Sequence, residues 1–197
     1  MRVTSSRWLE ANWDRARIEG IAMMTYNPSI GRVLAPGGVQ RFKAVAWGAI
    51  RGLSRIRNQQ AFDRFHHRLV VQTLRAIPRT SKRRHLSYGQ AQKPINVFLK
   101  VFVDWAKLPD RRTAARLGQF LHVPLDSIVM DRVRREHRRL HDEIVAPAYR
   151  GEEQWPSDLS LSTITRRMYL AWQRFFRAVR PHRPIDLDVI WSRAPRE

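Results

Sequence analysis

Two lysines, an aspartate and a pair of histidines have the types and spacing to do chemistry in this chain. Ser87 precedes Gln90 by a capping-box spacing, which predicts a helix from Ser87 onward. On one side of that helix fall Ile95, Phe98, Leu99, Phe102 and Ala106. On the other fall Lys93, Asn96, Val97, Lys100 and Asp104, with 93, 96, 100 and 104 along one stripe. A lysine amine becomes a nucleophile once it is neutral, a role arginine cannot take. Asp126 follows the apolar run Phe120, Leu121, Val123, Pro124 and Leu125, and precedes a helix opening Ser127-Ile128-Val129. It is therefore a natural N-cap. His137 and His141 are spaced to share a metal, but no third ligand and no His-Glu-x-x-His pattern accompanies them. A solvated basic helix is the better reading, and no metal or cofactor is expected.

Pro94 leaves two geometries open. Either the helix kinks near Gln90, or a new helix starts at Pro94. In the second case Lys93 sits at a helix N-terminus, where the dipole disfavours positive charge. Bringing a lysine from a pKa near 10.4 to about 8 takes roughly 3 kcal/mol of differential interaction. Lys100, about 10 Å along the stripe, supplies roughly 1.6 kcal/mol at an effective dielectric of about 20. Burial must supply the rest, so Lys93 has to be partly enclosed. The plain alternative is a solvated lysine face and a helix cap with no chemistry.

The pattern resembles a known family. A Lys-x6-Lys helix, Lys93 to Lys100, followed later by Pro124-Leu125-Asp126-Ser127 opening another helix, is similar to the archaeal-type 8-oxoguanine DNA glycosylases of the helix-hairpin-helix superfamily. The similarity covers roughly residues 85–135. The superfamily's apolar-Pro-Gly-apolar-Gly turn is not visible in the chain. The resemblance implies that Lys93 is the nucleophile and Asp126 its partner. It implies a DNA N-glycosylase, with or without lyase activity, that extrudes a base and cuts its bond to the sugar. Two substrate classes are open: oxidised guanine, or a bulky modified cytosine, as excised from phage DNA by defence glycosylases acting on glucosylated hydroxymethylcytosine. Asn96, Lys100 and Trp172 are the expected substrate contacts. The basic loop with Lys82, Arg83 and Arg84, the backbone near Ser87, and Arg132 and Arg135 are the expected DNA contacts.

Composition bounds the class. The chain has 197 residues, enough for a single domain, 1–197, with a sizeable core. Net charge is +20 and the pI is near 11.7, the footprint of a polyanion binder. Only five of the 37 basic residues are lysines, which makes the two on the stripe more pointed. Cysteine is absent, so disulfides and thiolate metal sites are excluded. The N-terminus lacks the apolar core of a signal peptide, and no run is long enough to span a membrane. The expectation is a monomer in the cytoplasm of a bacterium or archaeon, on the nucleoid, bound to double-stranded DNA with an extruded modified base. The competing class is a non-catalytic basic helical module that holds nucleic acid.

The remaining chain reads as all-α, a compact multi-helix domain, helix-hairpin-helix glycosylase-like. Helices are predicted at about 6–18, 39–56, 60–76, 113–120, 127–144 and 160–179, with a short docking helix near 185–191. In the helix at 160–179, Ile164, Met168, Ala171, Trp172, Phe175 and Val179 share a face. That stripe fits core packing, and it also leaves Trp172 open to stacking on an extruded base. Short strands near 20–35 are a further possibility.

Overall fold

Caps and apolar stripes divide the described residues into helices. The structure, a computed structural model, describes residues 5–25, 37–77, 86–151 and 159–193, with 5–13 and 189–193 described in backbone alone. Among the described residues there are eight α-helices and no strand. The first is α1 (Ser5–Thr25), whose Ile18, Ile21, Ala22 and Thr25 are buried at helical spacing. The helix covers 20–25, which removes the strand alternative there, and 26–36 lie outside the described residues. Next come α2 (Gly38–Leu53), burying Phe42, Ala46, Ala49 and Leu53, and α3 (Gln59–Ala76), burying Phe62, Phe65, Leu69 and Val70. Asn58 caps α3 by accepting the Ala61 N–H at 2.8 Å.

The central element is α4 (Tyr88–Leu99), which continues as a π-helical segment, Lys100–Trp105. Ser87 and Gln90 form the capping box. The helix runs from there straight through Pro94, so Lys93 stands six residues after the cap and not at a helix N-terminus. Nearly every side of α4 is buried, including Gln92 and Asn96, and so is Lys100 at the start of the π segment. The lysine stripe is thus enclosed, and the alternative of a solvated face does not hold.

After it come α5 (Arg111–Gly118), capped by Asp110, and an extended segment leading to α6 (Ser127–Glu136), capped by Asp126. The single helix expected over 127–144 is broken at His137, where φ −130 and ψ 45 leave the helical region. The chain resumes as α7 (Arg138–Ile144), a 3-10 turn (Ala146–Tyr149), α8 (Arg166–Val179) and a second 3-10 segment (Pro184–Arg193). No described helix is long and apolar enough to cross a membrane.

Apolar side chains form two clusters. The first draws on α1 to α5, plus Ile185. The second draws on Val123 onward through α6, the turn at Tyr149 and α8, plus Leu187. Tyr88, at the start of α4, packs against both. Close approach there depends on Gly89, whose N–H donates to the Ile164 carbonyl at 3.1 Å. A Cβ on Gly89 would lie 2.5 Å from the Leu161 carbonyl oxygen and 2.6 Å from the Ile164 Cβ. Backbone cannot yield as a flexible side chain does, so Gly89→Ala is expected to cost about 1–3 kcal/mol of stability, read from urea unfolding.

Candidate active site

The fold brings Lys93 and Asp126 together. Lys93 Nζ donates to Asp126 Oδ2 at 2.7 Å. The lysine side chain is 11% exposed and the carboxylate 28%, so the pair lies at the edge of the interior. The two oxygens of Asp126 have different partners. Oδ1 accepts the Ile128 N–H at 3.0 Å as the cap of α6, and Oδ2 meets the lysine. The segment before it is pinned. Gln173 of α8 accepts the Val123 N–H at 2.9 Å and donates to the Val123 carbonyl at 2.8 Å. Asn96, close to one turn beyond Lys93 on α4, also donates to that carbonyl. The amine and the carboxylate are therefore fixed to the same short stretch of backbone from two sides.

A second pair lies deeper. Lys100 Nζ donates to Asp188 Oδ2, with the two side chains 7% and 10% exposed. Burial raises the Asp188 pKa above the usual carboxylate range, while Lys100 and Lys93 pull it down and Asp126 adds to the rise. That mutual influence joins both pairs into one cluster of two amines and two carboxylates. Asp188 comes from the 3-10 segment Pro184–Arg193, and nothing in the spacing of the sequence points to it. The exposed indole of Trp105 covers Lys100, with Nζ 5.3 Å from the ring centre. Both residues belong to the π-helical segment, at its first and last positions.

Beneath Lys93 runs a chain of buried polar groups. His66 Nε2 donates to Asn96 Oδ1 at 2.7 Å, and Asn96 Nδ2 donates to the Tyr169 hydroxyl at 3.0 Å. Tyr169 donates to His122 Nδ1 at 2.7 Å, and His122 Nε2 donates to Asp63 Oδ1 at 2.9 Å. Burial holds His66 well below its ordinary pKa, with the nearby His122 adding to the effect, and burial lowers His122 as well. Burial pushes Asp63 up, but its bonds to His122 and Gln59 outweigh that and leave it below the usual range. Both imidazoles are therefore neutral at pH 7.

Several sequence expectations change. Trp172 is fully buried, its indole N–H donating to the Tyr149 hydroxyl at 2.9 Å, and it packs on His141, Phe175 and Phe176. It is a core residue and no base can stack on it. Asn96 has its amide fully engaged and is 2% exposed, so it braces the site from below and does not reach substrate. Lys100 is buried in its pair with Asp188. The Ser87 hydroxyl donates to the Leu161 carbonyl, and the N–H groups of Ser87, Gly89 and Gln90 are all bonded within the protein. No donor among them is left for a phosphate. Lys82, Arg83 and Arg84 lie outside the described residues. Arg132 is half-buried and Arg135 exposed on α6, and they pair with Glu136 and Asp131 on their own helix. His137 is exposed at the break, whereas His141 is buried against Trp172 and held below its ordinary pKa by that burial. No group of three or more potential metal ligands occurs among the described residues.

Two outcomes follow from this packing. Asp188→Asn leaves a buried ammonium without its counter-charge and is expected to destabilise by about 3–5 kcal/mol, whereas replacing Lys100 and Asp188 together by Met and Leu should recover most of that loss in urea unfolding. His66 and His122 have lowered pKa values in the folded state, so the unfolded chain binds more protons below about pH 6.5. Stability is then full above that pH and falls as pH drops below it, by up to about 1.4 kcal/mol per pH unit for each histidine. A melting temperature that does not decrease between pH 7 and pH 5 would contradict the neutral assignment.

No family model matches the chain, and comparison with curated proteins and with solved structures finds no similar one.

Proposed function

We propose that the protein is a DNA N-glycosylase that extrudes a modified base and detaches it at the Lys93–Asp126 pair. The observation that carries this reading is the 2.7 Å contact between an enclosed amine and a carboxylate rigidly held as a helix cap, in a chain of net charge +20. The resemblance to the archaeal-type 8-oxoguanine glycosylases assigns the same two residues.

In this reaction Asp126 takes the proton from Lys93 Nζ, and the freed lone pair attacks C1′ of the deoxyribose. The C1′–N bond breaks, its electron pair leaves with the base, and a proton supplied by solvent neutralises the base. The proton shifts from Nζ to Oδ2 as attack proceeds, so the negative charge remaining on the carboxylate stabilises the positive character at the sugar in the transition state. The secondary ammonium so formed gives a proton to solvent, Asp126 passes its proton to the ring oxygen, and the C1′–O bond opens to a Schiff base, which water hydrolyses or which proceeds to strand cleavage. In a water-using variant Asp126 orients and deprotonates the water, and Lys93 holds the carboxylate in place. The substrate is oxidised guanine or a bulky modified cytosine of phage DNA.

A second reading is favoured by one feature of the same geometry. The ion pair is closed, and a closed pair can serve packing alone. The protein would then be a basic helical module that holds nucleic acid without altering it.

Incubation with a panel of oxidised and phage-modified DNAs, followed by detection of released base, separates the two. The expected result is base release and alkali-labile abasic sites on one class of DNA. Lys93→Gln and Asp126→Asn should each lower release by at least about 100-fold, the scale of lost acid–base or nucleophilic catalysis, while DNA binding persists. Borohydride trapping of a protein–DNA adduct by the wild type, absent in Lys93→Gln, identifies the amine as nucleophile. Release from no DNA in the panel leaves the binding module.

A further inference from the structure

We infer that the outer face of α3 is a docking surface for the sugar–phosphate backbone of DNA, gripped by Arg64, Arg68 and Arg75. This rests on nucleic acid as the partner and not on base removal, and it lies on residues for which the sequence suggests only a packing helix.

The face is defined by what is exposed. The exposed residues of α3 are Gln60, Arg64, Arg68, Gln72 and Arg75, spaced by four, four, four and three. That spacing is one stripe along the helix. Its side chains are arginines and glutamines, all of them hydrogen-bond donors, with no carboxylate among them. At 1.5 Å per residue, Arg64 to Arg75 spans about 16 Å, the axial rise of about five nucleotides of one strand at 3.4 Å each. The absence of any exposed apolar side chain on the stripe argues against a lipid surface, which an interfacial helix enters with an apolar face.

The three arginines are also unspent. None of them makes a hydrogen bond or ion pair among the described residues. The arginines of α6 differ, since Arg132, Arg134 and Arg135 are engaged with Glu136 and Asp131. Like charges stacked four residues apart repel, by a few tenths of a kcal/mol. A polyanion laid along the stripe converts that repulsion into attraction with no internal pair to break.

Clefts on both sides give the strand relief to follow. One, of about 520 Å³, lies between α3, α4 and α8, with Tyr88 and His67 in its wall and Arg166 at its far rim. The other, of about 710 Å³, lies between α2 and α3, opened by Gly48 and Gly52 and rimmed by Arg41. Arg68 borders both. Asp63 is the carboxylate facing the first cleft, and it is turned inward onto His122 and Gln59. Both clefts thus present positive rims, and the stripe between them is the ridge that a backbone straddles.

The test is the salt dependence of duplex binding, followed by anisotropy of a labelled DNA from low to physiological salt. Each phosphate contact contributes about 0.9 to the slope of log affinity against log salt. The variant with Arg64, Arg68 and Arg75 all changed to Gln should flatten that slope by about 2.7, and the same three changed to Lys should restore it. Arg132→Gln, Arg134→Gln and Arg135→Gln together serve as the matched control and should shift the slope by less than half as much. An unchanged slope in the triple Gln variant, with a melting curve like wild type, overturns the proposal. So does a triple Lys variant that fails to restore it, or binding to anionic vesicles with none to DNA. Base release by the same triple variant at saturating DNA is measured in parallel. Its persistence leaves both readings standing, and its absence in the wild type defeats the glycosylase reading alone.

Discussion

Everything near the site depends on keeping a row of buried polar groups satisfied. An amide or hydroxyl taken from water without a partner costs several kcal/mol, so such a row survives only if each member is bonded. Here α4 gives its apolar side to the first cluster and turns its polar side to the seam with the second. Asn96 is the hub, touching His66, Gln92, Tyr169 and the Val123 carbonyl. No partial version of this network is tolerable, because one missing partner strands several others. The seam therefore sets the relative placement of α3, α4, α8 and the extended segment at Val123 with a specificity that apolar packing alone does not provide.

The placement of Lys93 and Asp126 is a by-product of that specificity. Lys93 stands at the outer end of the seam, and Asp126 stands three residues after the doubly bonded Val123. Neither side chain needs a long loop to reach the other. An amine and a carboxylate held this way lose little further freedom when a third group joins them, which is the condition for a reactive arrangement. The deeper pair, Lys100 with Asp188, extends the same alternation of charge inward and brings the 3-10 segment Pro184–Arg193 into the site.

Much of this can be read from the chain, for reasons that differ by residue. The helices show because their apolar residues recur with the helical period, and the starts of α4 and α6 show because Ser87 and Asp126 carry cap chemistry. The proximity of Lys93 to Asp126 is suggested by resemblance alone, since spacing along the chain says nothing about which helices meet. Asp188 is invisible because its partner is 88 residues away and its segment has no period. His66, His122 and Gln173 escape sequence reasoning because a polar residue beside an apolar stripe reads as outward-facing. The Trp172 ambiguity has the same root, as a stripe of aromatic residues looks alike whether it fills a core or lines a pocket. The break at His137 and the π turn at Lys100 are local departures from helical hydrogen bonding that no periodicity records.

The segment around Ile185 crosses the seam in three residues. Ile185 joins the first apolar cluster, Leu187 joins the second, and Asp188 meets Lys100. During synthesis the ribosome releases the first cluster early, with the second following as α6 to α8 emerge. Until residues 185–188 appear, the ammonium of Lys100 must stay hydrated, because its counter-ion does not yet exist. The halves can collapse in order, but the Lys100–Asp188 salt link across the seam forms only with this late arrival.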